Sequence, residues 1–476
     1  MRTLPRQLSL SALAVLGALA PVVAPQSTAA TATPSSRPNV VVMLADNLGW
    51  GEIGAYGSVR GVPTPRIDRL AAQGIRLTNF NVEYSCVVSR AALLTGRYAV
   101  RTGAAQRSGI TLWELTLAEA LKPLGYSTAL YGKWHLGGEK NWRGKREPTY
   151  QGFDEWYGIP QTSNEAQTTT MPGFDPQTME TPYIWEGRAG EPGRQVKVFD
   201  LESRRTLDRE SALKGIAFME RSVRRKQPFF LYYSITQIHF PTLTHPDFAG
   251  KTGAGDIGDA MADVDYNTGL VLDAIERLGI GRDTIVIWIA DNGAEVRRPW
   301  RGTAGPWTGF YNTVMEGGIR TPGMIRWTGR IPAGQVSNDI VHEIDFFPTL
   351  AAAIGADIVP KDRPIDGVNQ LPFFEGKAPH SARESALYWT ENKVLRAVKW
   401  QDWKLHYAFQ LERGVNTPPA LRLFNLRSDP KEETDIKDFN PWVKSVVDRI
   451  AAEFQASTQT FPNVPQDAPD PYVPNR

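Results

Sequence analysis

Two apolar segments of the sequence end in the same tripeptide, Ala-Asp-Asn, whose side chains supply oxygen ligands. The segments are residues 40–45 and 284–290, and the pairs that follow them are Asp46 with Asn47 and Asp291 with Asn292. One such pair usually serves as a turn or a helix cap. Two pairs after two matching segments instead favour one site for a hard cation such as calcium or magnesium, because both ions prefer oxygen ligands.

Basic and imidazole side chains follow two further segments that we interpret as strands. Residues 127–131 lead to Lys133 and His135, and residues 229–234 lead to His239. Ligands in open α/β sheets bind beyond the carboxyl ends of the strands. These side chains are therefore predicted to join the oxygen ligands at one edge of a sheet.

Cys86 is the only cysteine of the chain, and Arg90 follows it by four positions. The segment 86–96 is predicted to be a loop that enters a short helix and ends at Gly96. An isolated cysteine is most often a buried apolar thiol. A nucleophile at a helix N-terminus, however, meets free amide donors, and an arginine beside it can bind an oxyanion. This arrangement suits an anionic tetrahedral substrate.

Alternating strand-like and helix-like segments predict an α/β fold, in which a large, mostly parallel sheet is flanked by helices. Continuous apolar segments such as 40–45 are typical of strands buried on both faces. Between them, Thr116 and Glu119 match a capping box, and residues 261–278 have a helical apolar face. Residues 141–200 show no strong period, so we expect a long irregular insertion that helps to shape the substrate entrance.

A change in sequence character near residue 380 predicts a smaller C-terminal α+β subdomain. Residues 386–389, 395–400 and 404–407 are expected to form antiparallel strands, and a helix is expected from Asn440-Pro441 to about Phe454. The predicted organisation is a signal peptide at 1–30, a catalytic domain at 31–380 and the C-terminal subdomain at 381–476.

The first thirty residues are typical of a signal peptide. Arg2 and Arg6 precede an apolar run at 8–20, which is too short to cross a bilayer, and Ala29 or Ala30 is the residue expected before the cleavage site. We therefore expect a secreted or periplasmic protein without a stable membrane span, with an uncleaved anchor as the alternative. A net charge of +2 indicates no basic surface, so nucleic acid is not an expected partner.

Motifs along the whole mature chain resemble those of the type I sulfatases, a family within the alkaline-phosphatase-like superfamily. In family order they are 39–49, 86–98, Gly132-Lys133-Trp134-His135-Leu136-Gly137, Ile238-His239-Phe240-Pro241, Asp291-Asn292-Gly293, Glu316-Gly317-Gly318-Ile319-Arg320-Thr321-Pro322, and Leu423-Phe424-Asn425-Leu426 with Asp429-Pro430. No single motif is decisive, but their order is highly specific. The resemblance implies an alkaline-phosphatase-like fold and hydrolysis of a small-molecule or carbohydrate sulfate ester.

The resemblance also implies how the reaction proceeds. A maturation enzyme oxidises Cys86 to formylglycine, whose hydrated aldehyde attacks sulfur with one hydroxyl and releases sulfate with the other. A calcium ion, with magnesium as the alternative, polarises the sulfate. Its implied ligands are Asp46, Asn47, Asp291 and Asn292.

The remaining site residues take their roles from the same resemblance. Arg90 and Lys133 orient the nucleophile and offset charge, whereas His135 assists the release of sulfate. His239 protonates the leaving oxygen. Thr162 stands where the family often has a supporting serine that contacts the substrate.

Three positions depart from the family pattern. Val88 stands where the maturation motif has proline, Asn47 where a metal-binding aspartate is usual, and Tyr311 where many members have a sulfate-binding lysine. The change at Asn47 removes one negative charge, which is expected to weaken cation binding. Arg301 is a candidate to replace the lysine at the sulfate.

Two alternatives to a sulfatase remain open on the sequence. The first is a phosphodiester or phosphonate hydrolase of the same superfamily, because the oxyanion-binding residues are similar. The second is a non-catalytic protein that binds sulfated ligands through an unconverted Cys86, which the changes at Val88 and Asn47 favour. An aldehyde at residue 86 would indicate the enzyme, and a thiol would indicate the binder.

Overall fold

Eleven strands form one mixed sheet in the computed structural model, which describes residues 37–474 apart from 106, 140–141, 143–145, 391–392 and 411–419. In chain order they are β1 (Asn39–Ala45), β2 (Ile75–Asn81), β3 (Ser127–Lys133), β4 (Glu155–Ile159), β5 (Tyr183–Arg188), β6 (Arg194–Val198), β7 (Phe229–Ser234), β8 (Thr284–Ala290), β9 (Arg320–Arg326), β10 (Gln335–Ser337) and β11 (Val341–His342). The spatial order is β10-β2-β9-β8-β1-β7-β3-β4-β5-β6, and β11 pairs with β2. The central strands β8-β1-β7-β3-β4 are all parallel.

Helices flank this sheet, so the predicted fold class is confirmed. The α-helices are α1 (Pro65–Ala72), α2 (Cys86–Thr95), α3 (Ala99–Thr102), α4 (Leu117–Leu121), α5 (Leu201–Arg224), α6 (Gly255–Arg277), α7 (Glu316–Ile319), α8 (Phe346–Ile354), α9 (Leu371–Phe374) and α10 (Pro441–Thr460). Short 3₁₀ helices lie at Trp50–Glu52, Gly54–Tyr56, Lys122–Leu124, Pro148–Tyr150, Ser163–Thr170, Gly281–Asp283 and Glu343–Asp345. The predicted capping box of Thr116 and Glu119 begins α4, and α6 contains the predicted helical face.

The large sheet separates two apolar cores, one on each face. Successive residues of β1 alternate between them: Val40, Val42 and Leu44 join one core, and Val41, Met43 and Ala45 join the other. Apolar residues of α2, α4 and α8 complete the first core, whereas α1, α5 and α6 complete the second. Because both faces are covered, every residue of β1, β3, β7 and β8 is buried, which explains the continuous apolar sequences of β1, β7 and β8.

The expectation of an irregular insertion at 141–200 is wrong. This segment contains β4, β5 and β6, which extend the large sheet beyond β3. β4 is parallel to β3, whereas β5 and β6 pair antiparallel. The sequence signal is weak because β5 and β6 lie at the edge of the sheet and are only partly buried, so neither has a continuous apolar run.

A second, smaller sheet follows residue 380, as predicted. Its antiparallel strands are β12 (Ser385–Trp389), β13 (Leu395–Trp400), β14 (Trp403–His406) and β15 (Arg422–Asn425). β15 was not predicted as a strand, and α10 extends to Thr460 rather than ending near Phe454. Val443 and Val447 of α10 pack in one apolar cluster with residues of β12, β13 and β14. The boundary at residue 380 itself stays a prediction, and the predicted leader lies outside the described residues.

None of the helices that the structure describes combines the length and the apolar character that a bilayer span requires.

Buried ion pairs join the small sheet to the first residue of α7, Glu316. Glu316 accepts from Lys404 through Oε1 (3.0 Å) and from Lys399 through Oε2 (2.8 Å). Glu432 pairs with Lys404 (3.0 Å) and also accepts the Glu316 backbone N–H (2.8 Å). Because these side chains are almost completely buried, each charge depends on its partner.

We predict that Glu316→Ala lowers the free energy of unfolding by about 3–5 kcal/mol, because Lys399 then stays buried without a carboxylate partner. Urea denaturation followed by tryptophan fluorescence measures the change. Asp357→Ala is the control, since it removes only an exposed ion pair with Lys361 and is expected to leave the midpoint unchanged. Equal midpoints for the two variants would contradict a stabilising role for the buried pairs.

Candidate active site and metal centre

The register of the central strands brings their carboxyl ends to one level. Ala45 of β1 lies opposite Ala290 of β8, and Ser234 of β7 lies opposite both Leu44 of β1 and Gly132 of β3. Residues at the ends of these strands and just after them therefore meet at one edge of the sheet. They include Asp46, Asn47, Lys133, His135, His239, Asp291 and Asn292.

Two carboxylates and the cysteine form a cluster of candidate metal ligands at this edge. Asp46, Asp291 and Cys86 each offer one ligand atom, and these atoms lie within 4.8 Å of one another. Asp46 Oδ1 and Asn292 Oδ1 are buried and have no hydrogen-bond partner in the described part of the chain. Such oxygens are costly to bury unpaired, whereas a hard cation binds them well. The donor set therefore fits a divalent cation such as calcium or magnesium.

Asn47 joins this cluster through three hydrogen bonds. Its backbone N–H donates to Asp291 Oδ1 (3.1 Å), its side-chain oxygen accepts from Asn292 Nδ2 (2.8 Å), and its Nδ2 donates to Glu295 Oε2 (2.9 Å). Its φ of +54° lies in the left-handed region, which asparagine tolerates better than most residues. The side-chain oxygen of Asn47 therefore faces Asn292, and its amide nitrogen faces Glu295.

Two buried cations balance the two carboxylates. Arg90 donates to Asp291 Oδ2 through Nη2 (2.8 Å) and Nε (3.1 Å), while Lys133 Nζ donates to Asp46 Oδ2 (2.6 Å). Arg90 Nη1 also donates to the Lys133 carbonyl oxygen (3.0 Å) and to the Ser234 hydroxyl. None of these four charged side chains has exposed surface, and each carboxylate is paired with one of the two cations.

Burial and the neighbouring charges shift the pKa values of the two carboxyl groups in opposite directions. Burial, together with the negative charge of Asp46, raises the pKa of Asp291 to about 7. Burial also opposes ionisation of Asp46, but nearby positive charges, first that of Lys133, outweigh it and lower its pKa. Asp46 is therefore the more firmly ionised carboxylate of the pair.

Cys86 is the first residue of α2 and follows the N-cap residue Ser85. Burial is the main cause that raises the pKa of the Cys86 thiol to about 11. The thiol is therefore protonated at neutral pH, which makes it a poor nucleophile in its unmodified form. An oxyanion at this position would instead meet the free amide groups of the first helical turn.

Thr162 connects His239 to the buried lysine. Its hydroxyl oxygen lies 3.2 Å from His239 Nε2 and 3.5 Å from Lys133 Nζ. His239 Nδ1 lies 2.6 Å from the Phe240 carbonyl oxygen, which can only accept, so Nδ1 carries the proton and Nε2 is the acceptor. Burial is the main cause that lowers the pKa of His239 to about 3, so the imidazole is neutral without a ligand.

His135 occupies an unusual backbone conformation at the end of β3. Its φ is +60°, and its backbone N–H donates to the Pro160 carbonyl oxygen (3.0 Å). Its Nδ1 is buried and has no partner among the residues that the structure describes. Burial, followed by the positive charges of Lys133 and Arg90, lowers the pKa of His135 well below its usual value, so this imidazole is also neutral.

Comparison with known proteins decides the family. The family model named Sulfatase matches residues 38–356, and a model of the N-sulphoglucosamine sulphohydrolase C-terminal region matches residues 307–460. The chain belongs to the sulfatase family. Its activity is therefore that of a sulfuric ester hydrolase, within the alkaline-phosphatase-like superfamily.

Sulfatases are also found among its relatives and structural neighbours. Human arylsulfatase A is 34% identical over 430 residues, which cover 84% of this chain and 83% of the relative. The dog N-acetylgalactosamine-6-sulfatase is 32% identical and covers 83% of this chain and 78% of the relative. The PsFucS1 sulfatase from Pseudoalteromonas sp. superimposes with a TM-score of 0.83 at 30% identity, covering 90% of this chain and 92% of the other. The sulfatase assignment thus holds over nearly the whole chain.

Arg301, the candidate replacement for the family's lysine, makes different contacts in this sulfatase. Its guanidinium lies over the Phe310 ring, 4.6 Å from the ring centre, and its carbonyl oxygen accepts from Arg60 (2.6 Å). Its side chain is exposed, in contrast to Arg90 and Lys133. A role for Arg301 at the sulfate stays a prediction.

Two residues that contact the site or the chain leading into it are not predicted by the sequence. Glu295 contacts Asn47, and the only signal was an acidic residue three positions after Asn292. Asn312 donates its backbone N–H to the Tyr84 carbonyl oxygen (2.7 Å), beside the chain that enters Cys86. Both side-chain amide atoms of Asn312 are buried without a partner in the described residues. Asn312 follows Tyr311, the position at which many family members have lysine.

A buried carboxyl group lies three residues before the cysteine. Glu83 Oε1 accepts the Ala99 backbone N–H (3.1 Å), and burial raises the pKa of this carboxyl group from 4.5 to about 8. Between these two values the folded protein holds a proton that the unfolded chain has lost. Stability therefore falls as the pH rises through this window.

We predict that Glu83→Gln removes this part of the pH dependence, because the amide is neutral at every pH and its oxygen can still accept from Ala99. The melting temperature of the variant, relative to that of the unaltered protein, should rise between pH 5 and pH 8.5. Differential scanning calorimetry across that range measures it, with the exposed Glu453→Gln as the control. Parallel pH profiles for Glu83→Gln and the unaltered protein would contradict the prediction.

Proposed function

We propose that this sulfatase cleaves a sulfate ester of an alcohol or sugar through formylglycine made from Cys86, with calcium held by Asp46, Asn47, Asp291 and Asn292. The observation that carries the proposal is the cluster of Cys86, Asp46 and Asp291 within 4.8 Å. Formylglycine supplies a covalent oxygen nucleophile, and the cation supplies positive charge for the sulfate oxygens. A sugar sulfate is supported by the similarity to N-acetylgalactosamine-6-sulfatase.

Conversion of Cys86 fits its environment better than use of the thiol does. The thiol has a pKa raised to about 11 by burial and is therefore a weak nucleophile. Cys86 and Val88 are 7% and 3% exposed, so a maturation enzyme could read this segment only before the chain folds. We propose that such an enzyme acts on the chain and that residues 1–30 direct its export.

Arg90 and Lys133 have two tasks in this proposal. Each is bonded to one of the carboxylates, so they hold Asp46 and Asp291 in place. Their positive charge also favours an anionic sulfate next to Cys86, which would otherwise meet two buried carboxylates. Arg90 lies one helical turn after Cys86 on α2, so the same helix positions the nucleophile and one of the cations.

His239 is the proposed proton donor to the leaving oxygen. Without a ligand its Nε2 is unprotonated and accepts from the Thr162 hydroxyl. An anionic sulfate nearby favours the protonated imidazole, and the Nε2 proton is then available to the leaving alkoxide. His135 is the proposed base in the later release of sulfate, for which its neutral form is suited.

Replacement of the nucleophile tests the proposed function. We predict that Cys86→Ala lowers the turnover of an aryl sulfate by at least about 10³-fold, while the melting temperature changes little. Mass spectrometry of the peptide that contains residue 86, from the unaltered protein, should find an aldehyde or its hydrate. A plain thiol in fully active protein, or full activity in Cys86→Ala, would overturn the covalent mechanism.

A series of leaving groups tests the proton donor. We predict that His239→Ala slows alkyl sulfates by about 10²–10⁴-fold and nitrophenyl sulfate far less, because nitrophenolate leaves without a proton. His135→Ala is the matched comparison and should slow both substrates alike. If kcat/KM of His239→Ala keeps the leaving-group dependence of the unaltered protein, His239 is not the acid.

A further inference from the structure

The buried carboxylate of Glu295 contacts Asn47, the position at which the metal site lacks its usual negative charge. Asn47 replaces an aspartate of the family, but its Nδ2 donates to Glu295 Oε2 at 2.9 Å. We propose that Glu295 is a positioning residue of the cation site, which orients the Asn47 amide and supplies the negative charge that Asn47 lacks. The inference rests on the proposed function, since it requires a cation at Asp46 and Asp291.

Glu295 fixes the orientation of the Asn47 side-chain amide. A carboxylate can only accept, so Glu295 requires the NH₂ group of Asn47 to face it. The side-chain oxygen of Asn47 then faces Asn292, whose Nδ2 donates to it (2.8 Å). Without the carboxylate the amide could turn over and present its NH₂ group to a cation, which repels it. Glu295 therefore selects the orientation in which Asn47 offers oxygen.

Glu295 also adds a carboxylate to a site whose other charges are paired. Asp291 is paired with Arg90, and Asp46 with Lys133, so these four groups are already balanced. Glu295 forms no ion pair with any described residue, and its side chain is fully buried. The negative charge of Glu295 is therefore free to act on a divalent cation, and burial reduces its screening by water.

Glu295 is itself held in place by two backbone N–H groups. Its Oε1 accepts the backbone N–H groups of Val296 (2.9 Å) and Arg297 (3.0 Å), which leaves Oε2 for Asn47. These contacts fix the carboxylate without cancelling its charge. Residues that orient metal ligands in this way typically affect metal affinity by about 10–100-fold when they are replaced.

The test measures calcium affinity directly, by titration calorimetry of the metal-free protein without substrate. Glu295→Gln removes the charge and allows either amide orientation, so its affinity should fall by at least about tenfold. N47D/E295Q moves the carboxylate to position 47 and the amide to position 295, which keeps both the charge and a donor–acceptor pair. The calcium affinity of N47D/E295Q should therefore lie within about threefold of that of the unaltered protein. This difference is smaller than the loss of about tenfold that is expected when an orienting group is removed.

A second readout does not depend on the metal. In the presence of a chelator, Asn47→Asp alone replaces the hydrogen bond of 2.9 Å by two carboxylates that face each other. Because these carboxylates repel, the melting temperature of Asn47→Asp should be lower than that of N47D/E295Q. Glu52→Gln is the matched control, because Glu52 is another buried carboxylate that holds a loop, through Thr303 N–H (2.7 Å). It should keep the calcium affinity unchanged.

The outcomes separate this inference from the proposed function. If the unaltered protein binds calcium and Glu295→Gln binds it equally well, Glu295 has no role at the cation and the inference is overturned alone. If N47D/E295Q binds calcium as weakly as Glu295→Gln does, Glu295 only stabilises the loop to which it belongs. This outcome also overturns the inference. If the unaltered protein binds no calcium, the proposed metal site fails and the inference fails with it.

Discussion

Arg90 is fully buried, and its guanidinium joins the helix that begins at Cys86 to three strands of the large sheet. It bonds to Asp291 after β8, to the Lys133 carbonyl oxygen of β3 and to the Ser234 hydroxyl of β7. A buried guanidinium is tolerated only when its donors are satisfied, so the helix cannot shift without breaking these bonds. The position of Cys86 relative to the carboxylates therefore depends on this one side chain.

In the proposed function, the balance of charge around Arg90 allows the site to accept both a cation and an anion. Two carboxylates and two cations compensate one another, with Asp46 bonded to Lys133 and Asp291 to Arg90. In a water-poor environment an added divalent cation and an added sulfate monoanion each find opposite charges close by. The two additions also neutralise each other in part, which favours their binding together. Buried charges of this kind are costly for stability, and in the proposed function they serve binding instead.

The small sheet contributes to the site from a distance. Glu316 ties α7 to the buried lysines of the small sheet, and the Gly318 carbonyl oxygen accepts from the Gly293 backbone N–H (2.9 Å) just after Asn292. A Cβ atom at Gly293 would lie 1.8 Å from the Gly317 carbonyl oxygen, so only glycine allows this close approach. The loop that carries Asn292 is thus held against α7, which is itself anchored by the C-terminal region.

By itself, the sequence determined the buried strands and the polar residues at their ends. Strands covered on both faces need continuous apolar residues, so β1, β7 and β8 are visible in the sequence, as are Asp46, His239 and Asp291 after them. Only the tertiary structure decided the rest. The edge strands β5 and β6 are partly exposed and have no such pattern, and the contact of Glu295 with Asn47 joins residues that are 248 positions apart. Hydrogen bonds of this kind arise from the register of neighbouring strands, a property that no local sequence period contains.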